Sequence, residues 1–269
     1  MTRFAANVGF LYRELSFEAR PAAARADGFE AIESGWPADP AAFTVAVHAA
    51  GVRVALLNVD AGDIAAGERG HANDPQATER WREAAITALR LAVDVGCPTL
   101  NVLAGNDVAG VTSERQWSTL RANLAWALPL ASSQGRRLVV EMLNPHDTPA
   151  YLVTDPATAR ELIEPFAGVG LRLQLDTYHV ARAARDVTAT FNDLAPLVGH
   201  IQVGDVPGRH EPGSGSIDWP AFFGALAARG YDGAVGLEYD PSGTTADALA
   251  WLPRGARGWS TEPFIFRRG

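Results

Sequence analysis

Along this chain, short runs of apolar and β-branched residues alternate with longer stretches whose apolar positions recur every three or four residues. The first pattern reads as buried strands and the second as helices with one face on a core. The strand runs are Phe4–Asn7, Ala31–Ser34, Val52–Asn58, Thr99–Ala104, Leu138–Leu143, Leu171–Asp176, His200–Gly204 and Ala234–Tyr239. Strand–helix alternation repeated eight times predicts the α/β class and a single-domain (β/α)8 TIM barrel.

Punctuation between the runs supports the division. Asp39-Pro40, Asp74-Pro75 and Asp155-Pro156 open helices, Asp218 caps another, and Gly51, Gly96 and Gly230 close three of them. Aspartate accepts the free amide hydrogens of a first turn, proline at the next position sacrifices no needed donor, and glycine takes the left-handed closing residue. Ser113 to Gln116 has the spacing of a capping box, with Leu120, Leu124 and Leu128 following on one face. The barrel is expected to span residues 1–252. The tail 253–269, with Trp259, Phe264 and Phe266, is expected to pack on the barrel or on a partner subunit.

Barrel enzymes place their chemistry at the C-terminal ends of strands. Those positions hold Glu141, Asp176, Gln202 and Glu238 on strands five to eight, each about one βα unit from the last. The three acids sit in apolar runs such as Leu-Val-Val-Glu and Val-Gly-Leu-Glu. A lone acid in a strand is ordinarily solvated, but three converging buried carboxylates repel one another unless a cation joins them. Three carboxylates and an amide oxygen are hard ligands, suited to Mg²⁺ or Mn²⁺. An arginine neutralising the acids in place of an ion would sink the metal reading and favour a sugar-acid binding protein without turnover.

Composition narrows the chemistry further. The chain has no lysine, so all 23 of its Lys-plus-Arg residues are arginine. Schiff-base, pyridoxal-phosphate and P-loop mechanisms, each of which relies on a lysine, are closed. A net charge of −8 speaks against nucleic acid. The single cysteine, Cys97, fits a reducing compartment and a small buried hydrophobe. With no membrane-length apolar run and no basic-then-apolar leader, a cytoplasmic location is expected.

Four stretches are similar to hydroxypyruvate isomerase, within the xylose-isomerase-like barrels. They are Gly62-Asp63-Ile64-Ala65-Ala66-Gly67-Glu68-Arg69-Gly70, Asp176-Thr177-Tyr178-His179, Gly199-His200-Ile201-Gln202 and Arg209-His210-Glu211-Pro212-Gly213-Ser214-Gly215. The resemblance runs from Phe4 to about Trp251. It implies that Glu141 and Glu238 exchange the substrate proton and, with Asp176 and Gln202, hold the metal. Hydroxypyruvate and tartronate semialdehyde would then be interconverted, a step of carbohydrate metabolism. The chain departs from the family at Leu57, where a histidine is common, and at Asn144-Pro145-His146-Asp147, where the histidine has moved by one.

The remaining polar residues are read individually. His179, at the mouth, is placed to hydrogen-bond substrate, and His200 is assigned a buried structural role. His48 and His71 are expected at the surface, and 211–215 as a lid. A carboxylate substrate entering a mouth with three acids needs a cation, which here must be arginine. Arg209 is the first candidate, Arg69 the second, and pairing of Arg209 with Glu211 is the alternative. The expected partner is a small hydroxy-carbonyl acid. A 2-oxo-tetronate isomerase, a ketose 3-epimerase, an abasic-site endonuclease, a non-catalytic binding barrel and homo-oligomerisation stay open.

Overall fold

The computed structural model describes residues 2–259 and 264–266. Its strands are β1 (Arg3–Asn7), β2 (Ala31–Ser34), β3 (Arg53–Asn58), β4 (Thr99–Val102), β5 (Arg137–Glu141), β6 (Leu171–Asp176), β7 (Val198–Val203) and β8 (Ala234–Leu237). They pair in sequence order, all parallel, and β1 closes the ring on β8. This is the (β/α)8 barrel the alternation implies. Helices cover the strands, and their inner faces supply the core, for example Leu120, Leu124 and Leu128 from the helix Ser113–Ser133. Cys97 is fully buried, as a small hydrophobe would be. No helix among the described residues is long and apolar enough to cross a membrane.

Three of the four aspartate openings form as expected. Asp39, Asp155 and Asp218 each accept an amide hydrogen from the first turn of helices Pro40–Ala50, Pro156–Ile163 and Trp219–Ala228. The fourth differs. Asp74 folds back on the backbone of Gln76 at 2.8 Å, making a local turn, so the helix starts only at Thr78 and runs to Asp94. The capping box at Ser113 also differs, because the cap is Thr112, which accepts from the Arg115 amide. Gln116 turns inward to bond Asp107 and Asn73.

The described part of the tail touches its own barrel. Trp259 bridges to Arg3, and Phe264 packs edge-on against Phe4 and Phe223, with ring centroids 5.0 Å apart in both pairs. Phe266 stacks on Phe223. Residues 260–263 and 267–269 lie outside the described residues.

Candidate active site

The strand register brings the polar residues together. Glu141 at the end of β5 is level with Gln174 on β6, and Asp176 at the end of β6 is level with Gln202 on β7. Glu238 lies one residue beyond β8, its amide bonded to the Val203 carbonyl. Asp176, Gln202 and Glu141 are buried, and Glu238 is 15% exposed at the side chain. Above them opens a cavity of about 440 Å³, whose lining includes Glu141, Glu238, His179, Arg209, Arg69 and Phe10.

Arg209 does not pair with Glu211, which instead holds Ser242. Its guanidinium reaches into the mouth, 2.8 Å from Asp176 Oδ2 and 2.6 Å from Glu238 Oε1, and lies over the rings of Phe10 and Tyr178. Burial alone would lower its pKa, but Asp176, Glu238 and Glu141 reverse this and raise it. The arginine expected to meet the substrate therefore also serves as counter-charge to two acids.

One guanidinium does not balance three carboxylates. Glu141 receives Asn101 on Oε2 at 3.0 Å, while its buried Oε1 has no partner. Burial, then the charge of Asp176, pushes Glu141 up to about 7. Asp176 and Glu238 are also raised, burial again being the main cause. Ligand atoms of Glu141, Asp176 and His179 lie within 4.8 Å of one another. An unpartnered buried carboxylate oxygen beside a second carboxylate fits a hard divalent cation.

His179 is a donor in this group. Its Nδ1 lies 3.1 Å from the Asn144 backbone amide, which can only donate, so Nδ1 must carry the lone pair. Burial, with Arg209 and Arg69 nearby, holds its pKa well below the usual range. The ring is thus neutral with its proton on Nε2, facing Asp176 at 3.7 Å. An N–H suits a substrate oxygen, not a metal ion.

Gln202 departs from the ligand role expected of it. Its Oε1 accepts from Gln174 at 2.6 Å, and its Nε2 donates to Glu33 and Glu238. Two acceptors on one side and a donor on the other fix the amide this way round, so here it presents N–H groups, not oxygen, to the acids. Arg69 lines the cavity, with its guanidinium tied to the Ile64 and Glu68 carbonyls.

Other histidines fall as follows. His200 is buried, with Nε2 2.7 Å from Glu33. His48 is exposed, but His71 is largely buried beside Glu68. His146 is exposed and outside the cavity lining. The 211–215 stretch is anchored: Gly213 and Gly215 donate to Oδ2 of the fully buried Asp205. Glu33, Asn7, Asn101, Gln174 and Asp205 were not foreseen. Glu33 carried the same signal as the acids that were, a carboxylate at the end of an apolar strand, Ala-Ile-Glu-Ser.

Residues 21–255 match the sequence pattern described as xylose isomerase-like TIM barrel. The chain belongs to that family. A 2-oxo-tetronate isomerase of Cupriavidus necator is 36% identical, over 94% of this chain and 98% of that protein. The hydroxypyruvate isomerase of Escherichia coli is 35% identical with the same coverage. A crystal structure of an AP endonuclease, family 2, from Brucella melitensis superposes with a TM-score of 0.87 at 31% identity, covering 94% of this chain and 98% of that one. With relatives of this kind over almost its whole length, the chain is an enzyme of the isomerase class.

Proposed function

We propose that the protein interconverts hydroxypyruvate and tartronate semialdehyde, with Glu141 and Glu238 moving the proton. The observation that carries this is two largely buried glutamates, both with raised pKa, from β5 and just past β8, facing one cavity that also holds an arginine. Acid–base work near neutrality requires carboxyl groups tuned upward in this way. One glutamate removes the C3 proton and the other returns a proton to C2, while the hydroxyl proton passes from O3 to O2. His179 donates its Nε2–H to a substrate oxygen, and Arg209 takes the substrate carboxylate, with Arg69 as a second cation in the lining. A bound Mg²⁺ or Mn²⁺ would stabilise the negative charge developing on the two oxygens. Glu141, Asp176 and Glu238 are the residues that would hold it. Gln202 would join them only by giving up its present amide orientation.

A four-carbon 2-oxo acid is the second reading. It is favoured by the Cupriavidus relative's name and by a cavity of about 440 Å³, roomy for a three-carbon acid. A nuclease reading has against it the net charge of −8 and a mouth floored by carboxylates. The test is turnover of hydroxypyruvate and of a 2-oxo-tetronate by purified protein with Mg²⁺ or Mn²⁺, before and after chelation. Activity on either acid that chelation abolishes is expected. Activity confined to neutral ketoses would replace the proposal with an epimerase.

A further inference from the structure

Beneath the proposed catalytic pair lies a buried acid that the proton transfer does not use. Glu33, from β2, is fully buried at the barrel axis. Its Oε1 accepts from Asn7 Nδ2 at 3.0 Å and from Gln202 Nε2 at 2.7 Å, and its Oε2 lies 2.7 Å from His200 Nε2. The same two amide nitrogens pass their second hydrogens upward to Oε2 of Glu238, at 2.7 Å from Asn7 and 2.5 Å from Gln202. Two carboxylates are thus bridged by two amides. The far ends are also fixed, since Asn7 Oδ1 accepts from the Gly9 amide and Gln202 Oε1 from Gln174. Room for the lower carboxylate comes from β8, where a Cβ on Gly236 would lie 2.1 Å from both Glu33 oxygens.

We infer that Glu33 is a positioning residue for the proposed isomerisation. By taking one hydrogen from each of Asn7 and Gln202, it orients both amides to anchor Oε2 of Glu238. Oε1, the oxygen that meets Arg209, is then the one left to face substrate. The inference rests on the reading of Glu238 as a proton-transfer residue, but the amide bridge can be tested without turnover. Glu33→Met keeps the length but removes both acceptors, so Asn7 and Gln202 each lose the bond that orients them. Glu33→Gln would not do this, because its amide oxygen can still accept from both while its N–H group faces His200 Nε2 in the accepting tautomer.

The experiment compares wild type and Glu33→Met in melting temperature, Mn²⁺ affinity by electron paramagnetic resonance, and kcat and KM on the best 2-oxo acid. The expected variant is folded, and its kcat is lowered about 10- to 100-fold, the range for residues that orient a metal ligand. KM should change much less. In a Gln202→Met background Glu33→Met should cost less than it does in the wild type, because only the path through Asn7 remains. Wild-type kcat and Mn²⁺ affinity in the folded variant would overturn the inference, as would full additivity with Gln202→Met. Should Glu33→Met fail to fold, ¹H–¹⁵N spectra of the wild type decide. The Asn7 and Gln202 side-chain amides must be protected from solvent exchange, and rapid exchange overturns the bridge. Absence of any wild-type turnover would sink the isomerase reading while leaving Mn²⁺ affinity and amide protection to judge Glu33.

Discussion

At the scale of single residues, Glu141 and Glu238 carry the heaviest expectations. Each is assigned one half of a proton transfer, so Glu141→Gln and Glu238→Gln should each lower kcat by about 10²–10⁴-fold. Circular dichroism should show both variants folded, and near-wild-type turnover in either would end the two-glutamate mechanism. Arg209 can be separated from them by substrate charge. It contacts Asp176 and Glu238 and also lines the cavity. If its work is to hold the substrate carboxylate, Arg209→Ala should reduce kcat/KM for a 2-oxo acid far more than for a neutral ketose. Equal losses on both would reassign Arg209 to charge balance alone. His179 illustrates how one backbone donor decides chemistry: the Asn144 amide sets the tautomer, and the tautomer sets what the ring can bind.

Among the elements, the loop between β7 and the helix Trp219–Ala228 presents Arg209, and Asp205 holds the loop at both ends. Asp205 Oδ1 accepts from the amides of Val206 and Ile217, and Oδ2 from Gly213, Gly215 and the Trp219 indole. A carboxylate with so many donors tethers the loop whose 211–215 stretch is expected as a lid. Asp205→Asn must turn one N–H group toward those donors. We expect a loss of about 1–3 kcal/mol by chemical denaturation, together with a raised KM for acid substrates as Arg209 loses its support. An unchanged KM would mean that the loop holds its shape without Asp205. The strands themselves were legible, because a parallel strand buried on both faces leaves an unmistakable apolar run. Their ends were less so: β4, β5 and β8 stop two residues before their apolar runs do. Glu141, Asp176, Gln202 and Glu238 were legible as strand-end residues. Their partners were not, because whether an Asn such as Asn7 or Asn101 faces a carboxylate depends on register between strands far apart in sequence. Gln116 misled for a related reason, its capping spacing being overridden by the buried partners Asn73 and Asp107.

For the molecule as a whole, the crowded acids tie stability to pH and to metal. Glu141 is pushed up to about 7, and Asp176 and Glu238 are raised with it. A carboxyl with a raised pKa keeps, in the folded protein, a proton that the unfolded chain has already released. Stability of the metal-free protein should therefore fall as pH rises from the ordinary glutamate value to about 7. A divalent ion competes with those protons, so the gain in melting temperature on adding Mn²⁺ should be larger near pH 8 than near pH 5. A gain independent of pH, measured by calorimetry with and without chelator, would argue that no ion sits among these acids. The amide bridge adds a consequence in time. Asn7 and Glu238 are 231 positions apart along the chain, and Glu33 is 169 positions from Gln202. Contacts between such distant positions are entropically expensive to form early. A chain halfway to its native state can hold most of its βα units and still lack a mouth, because β1, β2, β7 and the segment just past β8 must all have arrived. In a refolding experiment, tight Mn²⁺ uptake should therefore lag behind helix formation and report the moment the ring closes.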